Sequence, residues 1–380
     1  MKRTITKRTI AIILALMLVV TTLVACNDPS PGTDTSKPDT TESKTEAPVT
    51  EPAATEPGPT EPDPTEPEEP GLIGEGLKAA MILPGPISDI GFSGPAYDGL
   101  VRIEKELGYE ISFAESVAAA DYENVFRTYA ADGFDIIFAQ GAQFLETAML
   151  VADDYPDTWF AISSAFATNE KNISGWNLSS YDVGFLVGIL AAQLTETNKI
   201  GNVSGAELPP LVMINDGIRA GAAYINPDVE VINIWTSATA DNAQTKEAGV
   251  ALLDSGCDIL HSSAGVGTPG VVSAAAEAGK YLIANSADWT SVDPDTVLTS
   301  AMAGWSTAVY NTAVAFAKGE LQPRPYMNGI AEGAVYMADY TEKAREVIPE
   351  EVFARMDEII DGILAGDIVV ADEVAKLPQD

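Results

Sequence analysis

The residues able to do covalent chemistry are few. The 380-residue chain has one histidine, His261, and two cysteines, Cys26 and Cys257. They cannot close a zinc site of the Cys/His-rich kind, and a multi-cysteine disulfide framework is excluded. A Ser-His-Asp machine would need His261 as its base. His261-Ser262-Ser263 sits on or just after an apolar run, with no nucleophile and orienting carboxylate placed beside it by spacing, so a structural or ligand-contacting role is expected. Asp89 and Asp288 are isolated carboxylates, not a catalytic pair. No catalytic residue, metal ligand or cofactor is assigned.

Binding chemistry is better represented. Gly265-Val266-Gly267-Thr268-Pro269-Gly270 is a glycine-rich strand-to-helix turn whose backbone N–H groups could meet a polar ligand edge, or could simply turn the chain. It is set aside as a G-x-G-x-x-G dinucleotide fingerprint on its spacing after the second glycine, and no G-x-x-x-x-G-K-[ST] phosphate loop occurs. Four further segments follow apolar runs and carry aromatics beside small polar groups: 88–93 with Asp89, Phe92 and Ser93, 140–144 with Gln140, 163–166 with Ser164, and 285–289 with Ser286 and Asp288. Trp235 ends another run, and Trp305 stands near a crossing between lobes. Aromatic faces with amides, hydroxyls and one or two carboxylates suit a flat, polar, uncharged ligand such as a purine or nucleoside. Each tryptophan alone could equally be core.

These segments need elements to hold them. From about residue 77, short apolar runs (79–83, 111–113, 134–139, 159–162) alternate with helical spacing (97–107, 122–132, 143–154). That alternation indicates parallel sheets covered on both faces. A long helix at 181–194 follows, and the series restarts with runs at 199–203, 229–234, 258–260 and 281–284 and helices near 210–225, 241–255 and 269–279. Gly133-Phe134-Asp135-Ile136-Ile137 is echoed by Gly256-Cys257-Asp258-Ile259-Leu260, as a duplicated lobe would give. The expected fold is α/β: two Rossmann-like lobes with parallel sheets and a hinge, with a cleft at the C-terminal ends of their strands. The first lobe is expected over 73–190 plus about 303–335 and the second over 191–302. For 336–380 helices at 342–347 and 350–364 and a strand at 368–370 are expected, on a lobe left open.

The N-terminal region reads as an address. Lys2, Arg3, Lys7 and Arg8 precede an apolar run too short for the roughly 20 residues that span a bilayer, so 1–25 reads as a signal peptide. Leu23-Val24-Ala25-Cys26 resembles a bacterial lipobox, making Cys26 the lipidation site; the alternative is an ordinary signal peptide and an idle cysteine. Lipidation would leave Cys257 as a buried thiol. Residues 27–70 hold eleven prolines, twelve acids and two lysines, with Thr-Glu-Pro at 50–52, 55–57, 60–62 and 65–67. Residues 26–72 therefore read as a lipidated cysteine and an unfolded stalk that would stand the body off a cell surface of Gram-positive type. With 56 acidic against 21 basic residues and a net charge of −35, nucleic acid is not an expected partner.

Over residues 77–330 the sequence resembles the BMP (basic membrane protein) family of substrate-binding lipoproteins for ABC transporters, whose characterised members bind purines or purine nucleosides. The carriers are Phe92-Ser93 through Tyr97-Asp98-Gly99-Leu100, Ala152 with Tyr155-Pro156-Asp157, Phe160-Ala161-Ile162, Gly184-Phe185-Leu186-Val187-Gly188-Ile189-Leu190-Ala191-Ala192 leading to Lys199-Ile200-Gly201, Gly217 with Ala220-Gly221, Asn226-Pro227, Ala264-Gly265-Val266-Gly267, Ala274-Ala275-Ala276 and Leu298-Thr299-Ser300. The resemblance implies a two-lobed receptor of the type I periplasmic-binding kind. It would close on its ligand by hinge bending and deliver it to an ABC permease and its ATPase, anchored by lipid at the outer face of the membrane. It implies binding without catalysis. Phe92 matches an aromatic that stacks on the base. Ser93 stands where the family usually has asparagine, and Ser164 where it often has aspartate. Ser286 and Asp288 occupy an Asp-x-Asp pair, and Ala303-Gly304-Trp305 replaces a lysine that helps hold ribose. These departures weigh against a nucleoside and make a free base, or some other planar ligand, credible. Rival readings are a sensing receptor of the same fold and a nucleoside hydrolase.

Overall fold

The computed structural model describes residues 71–89, 91–237 and 241–378. The expected signal peptide, Cys26 and nearly all of the expected stalk lie outside the described residues. The described residues form one compact unit.

The first sheet is built from β1 (Lys78–Ile82), β2 (Glu110–Ala114), β3 (Ile136–Ala139), β4 (Trp159–Ser163) and β5 (Ile173–Leu178), linked by α1 (Ser93–Leu107), α2 (Tyr122–Ala131) and α3 (Leu145–Ala152). β1, β3 and β4 are almost wholly buried. That is why they read as unbroken apolar runs: helices cover both faces of the sheet. α1 ends at Gly108, whose left-handed backbone (φ +84°) lets its N–H return to the last turn.

The chain then enters the second lobe through α4 (Ser180–Leu194). There follow β6 (Lys199–Ser204), α5 (Pro209–Ile225), β7 (Glu230–Trp235), α6 (Asn242–Asp254), β8 (Ile259–Ser263), α7 (Thr268–Glu277), β9 (Tyr281–Ser286) and β10 (Val297–Ala303). α6 begins with a capping box in which the Asp241 and Gln244 side chains satisfy each other's backbone N–H groups. The chain crosses back for α8 (Trp305–Ala317) and β11 (Pro325–Asn328), and returns a last time for β12 (Val335–Met337), α9 (Glu342–Val347), α10 (Glu350–Leu364) and α11 (Val370–Ala375).

The two sheets repeat one strand order. The first runs β2-β1-β3-β4-β5-β11 and the second β7-β6-β8-β9-β10-β12. All pairings are parallel except β10 with β12. In each, the strand order reverses between the first and third strands made, the place where such sheets open a crevice.

α4 is buried nearly all round, from Val183 to Ala192, as befits a helix enclosed by a core rather than lying on a surface. It packs on α5 through a glycine seam. A Cβ on Gly184 or Gly188 would collide with the carbonyls of Ile214 and Ile218, and one on Gly217 or Gly221 with those of Tyr181 and Phe185. Its other neighbours are β8, β9, β10, β12, α10 and α11. The helix therefore packs with the second sheet along its whole length, while the sequence reading put its first turns with the first lobe. α8 adds Ala308, Val309 and Ala313 to the first-lobe core. The C-terminal helices add Val352, Met356, Ile359, Ile363 and Val370 to the second.

The strand expected at 368–370 is not formed. Asp367 and Ile368 N–H groups close α10 on the Gly362 carbonyl, and Val370 opens α11. Three β-branched residues set no period of their own, and the edge of the second sheet is taken by β12. No helix among the described residues is long and apolar enough to cross a membrane.

Candidate functional site

Between the lobes lies a cavity of about 530 Å³, within the range of small-molecule sites. The first lobe supplies Phe92, Ala142, Ser164, Phe166, Asn177, Leu178 and Trp305; Ser180 stands at the first crossing; Pro209, Pro210 and Met213 of α5 form the opposing wall. Among the described residues no charged side chain lines it.

The aromatic platform is assembled from distant segments. Phe92 meets Trp305 edge to face at 5.5 Å between ring centroids, and Trp305 meets the fully buried Trp176 in the same way at 5.7 Å. Asp89 builds the loop that presents Phe92. Its carboxylate accepts from the N–H groups of Gly91 and Ser93, both at 3.0 Å, and so caps the start of α1. Both of its oxygens are engaged in the loop.

Three unpartnered polar atoms lie in the first lobe, two at the C-terminal ends of β3 and β5 and one at the start of α1. Gln140, fully buried after β3, donates through Nε2 to the Phe92 carbonyl (3.1 Å) and leaves Oε1 without a protein partner. Ser93 Oγ and Asn177 Oδ1 are likewise buried and unpartnered. Asn177 Nδ2 donates to the Ala165 carbonyl (3.0 Å), so its amide is fixed with the oxygen unmatched. Buried polar atoms ordinarily have partners; of the three, Asn177 lines the cavity, and its unmatched Oδ1 is what a hydrogen-bonding ligand would satisfy there. Ser164 holds a left-handed backbone (φ +57°) at the cavity wall.

The second-lobe candidates do not join this group. Trp235, ending β7, gives its indole N–H to Asn233 (3.1 Å), whose amide in turn donates to Ser204 Oγ. Gly265 (φ +56°) is exposed in the turn after β8. Ser286 is exposed and bonds to its neighbour Asn285. Asp288 folds back onto the Thr290 N–H and hydroxyl (3.0 and 2.7 Å). The second-lobe wall of the cavity is instead Pro209, Pro210 and Met213, which the sequence reading missed. The available signal was Leu208-Pro209-Pro210 opening a helix after the C-terminal end of a strand. Asn177 and Leu178 were missed because β5 itself was.

The Gly265–Gly270 run does have the G-x-G-x-x-G spacing, contrary to the sequence reading. The structure gives a local use for it. Pro269 removes one N–H from the first turn of α7, the Gly267 carbonyl accepts from Thr245 Oγ1 (2.7 Å), and Gly270 packs tightly on the Asn242 backbone.

His261 is fully buried. Nδ1 lies 2.6 Å from the Ile283 carbonyl and Nε2 3.0 Å from Ser263 Oγ, and burial lowers its pKa to about 4. It is a neutral strut between strands with no carboxylate beside it. Cys257 is a free, buried thiol whose pKa is raised to about 11, chiefly by burial. Among the described residues no group of acidic, histidine and cysteine side chains could hold a metal ion.

Two α/β lobes of one strand order facing across a cleft, with ligand-sized space and the unmatched Asn177 Oδ1 between them, have the architecture of a solute-binding protein. The chain belongs to the Bmp family, ABC transporter substrate-binding proteins of the PnrA-like type, whose profile matches residues 77–370. It is similar to a purine-binding protein of Brucella abortus, 27% identical over 287 residues, 74% of this chain and 81% of that one. It is also similar to a Haloferax volcanii protein whose name assigns it glucose binding in an ABC transporter, 28% identical over 288 residues, 76% of this chain and 73% of that one. In fold it resembles an ABC transporter solute-binding protein of Conexibacter woesei, with a TM-score of 0.64 at 23% identity over 77% of this chain and 98% of the other.

Proposed function

We propose that this protein captures a purine-type ligand at the outer face of the cell membrane, where Cys26 anchors it by lipid, and delivers it to an ABC permease driven by its ATPase. The free base is favoured over the nucleoside. The observation that carries the reading is the lining of the cavity. It is aromatic and apolar, with one amide and two serines and no charged group. A flat heterocycle can lie on Phe92 and offer N–H groups to Asn177 Oδ1. A pentose or hexose would present several hydroxyls, each needing a partner when desolvated, and Pro209, Pro210 and Met213 supply none from their side chains. The same lining favours purine over glucose among the ligands that the relatives' names suggest.

Binding works by population shift. A ligand that touches both lobes only when they are closed stabilises the closed state by its extra contacts there. The role asked of the side chains is to stack, to hydrogen-bond and to exclude water.

The test is a thermal-shift screen of ligand-free protein against purine bases, their nucleosides, pyrimidines and monosaccharides. A ligand that binds the folded state alone raises the melting temperature as its concentration exceeds Kd. A rise with adenine, guanine or hypoxanthine and none with nucleosides or glucose is expected. Silence across all purines from folded, ligand-free protein would overturn the assignment.

A further inference from the structure

The lobes are joined by three crossings: at Ser179 between β5 and α4, at Gly304 between β10 and α8, and at 329–334 between β11 and β12. Hydrogen bonds tie these crossings together. On the first, the Ser179 N–H donates to the Asn328 carbonyl at the end of β11 (3.0 Å). On the second, the Gly304 N–H donates to the Ala334 carbonyl (2.7 Å). The third folds on itself, with the Ala334 and Val335 N–H groups both reaching the Gly329 carbonyl.

Asp182, in the first turn of α4, joins the first and third crossings through its side chain. Oδ1 accepts from Ser179 Oγ (2.6 Å) and Oδ2 accepts from the Ile330 N–H (2.8 Å). The carboxylate lies so close to Gly329 that a Cβ there would collide with Oδ2. Glu332 Oε2 takes the neighbouring Gly329 N–H (2.8 Å). Around this junction is a hollow of about 290 Å³ that Met327, Ile363, Ile368 and Val370 also line. This half-buried carboxylate holds the chain through these directed bonds, and charge-assisted bonds to backbone N–H groups are the stronger kind.

We propose that Asp182 is a positioning residue for lobe closure: by tying the third crossing to the first, it makes the three connections turn as one hinge with a defined angle. Without it the 329–334 segment is released from α4, and the lobes sample a wider range of angles. Hinges absorb their rotation at a few element-terminal residues, and Asp182 sits where two of the three meet.

The test reads lobe geometry without any ligand, so it stands apart from the purine assignment. In the full chain bearing Cys26→Ser, Ala120→Cys and Val266→Cys carry spin labels. They lie in exposed turns after β2 and β8, on opposite sides of the cleft, and Cys257 is buried. Asp182→Ala is expected to widen the label–label distance distribution at least twofold. Gly329→Ala, which keeps the carboxylate and pushes it aside, is expected to do the same. Asp182→Asn, whose amide can accept from Ile330 and donate to Ser179, is expected to keep the parent width. Parent width in folded Asp182→Ala or folded Gly329→Ala would overturn the proposal, and so would equal widening in Asp182→Asn and Asp182→Ala.

Discussion

Phe92 and Trp305 cross at 88° with their ring centroids 5.5 Å apart. One precedes α1 and the other opens α8, so the contact joins the first crossover of the first lobe to the segment that returns from the second. Edge-to-face packing holds each ring by its rim or one face. The geometry gives Phe92 a fixed orientation at the cavity wall, ready to receive a flat ligand.

Phe92→Ala is therefore expected to lower affinity for a purine base by roughly 1–3 kcal/mol, the range for a base stacked on an aromatic side chain. Titration calorimetry with adenine or hypoxanthine reads it directly. Unchanged affinity would remove Phe92 from the site.

In the proposed function Asn177 serves both the fold and the ligand, and Asn177→Leu separates the two. Losing the donor to the Ala165 carbonyl is expected to lower stability by about 1–3 kcal/mol, the cost of an orphaned buried acceptor. Losing Oδ1 is expected to weaken base binding about tenfold, the equivalent of about 1.4 kcal/mol. Urea unfolding reports the first effect and equilibrium binding to folded protein the second. A stability loss with unaltered affinity would make Asn177 purely structural.

His261 gives the protein an acid-sensitive element. Its folded pKa of about 4 lies below the ordinary 6.5, with burial as the cause. The unfolded chain then binds more protons than the folded one between those values. The contribution is fully present above pH 6.5 and is lost as pH falls toward 4, by about 3 kcal/mol in all. His261→Asn should flatten that slope. Melting temperatures of the two proteins at pH 7.5 and pH 4.5 measure it, and parallel curves would contradict it.

Gly188 sits in the α4–α5 seam, where an added Cβ would run into the Ile218 carbonyl. Gly188→Ala gains helix propensity yet must force the helices apart, and overpacking of this kind typically costs about 1–3 kcal/mol. A chemical denaturation midpoint at or above that of the parent would show that the seam can yield.

How far the chain could be read depended on what each residue's pattern encodes. The buried strands β1, β3, β4, β6 and β9 announced themselves as apolar runs. β5 did not, because Ser174, Gly175 and Asn177 interrupt it, and β10 was hidden by Thr299-Ser300 in the same way. α4 was legible as a helix. Its allegiance was not, since helical period says nothing about which sheet a helix lies against. Phe92, Ser164 and Trp305, singled out for their places at strand ends or a crossing in the first lobe, line the cavity. Trp235, Ser286 and Asp288 share that position in the second lobe, yet their polar atoms turn to Asn233, Asn285 and Thr290. Spacing places a residue at a cleft, but neighbours decide where its side chain points. Pro209 and Pro210 read as a helix start and gave no hint of a wall.

The pairing of β11 with β5, from Pro325 beside Gly175 to Asn328 beside Leu178, sets a timetable for folding. When the chain is made or exported from its N-terminus, the first sheet stays one strand short until every residue of α4 through β10 has emerged. Until then β5 is an open edge carrying Trp176, the kind of template that invites pairing with another chain. Contacts this distant along the sequence also form slowly. A nascent chain stalled anywhere before Asn328 has neither sheet complete, so the two lobes mature together rather than as successive independent units.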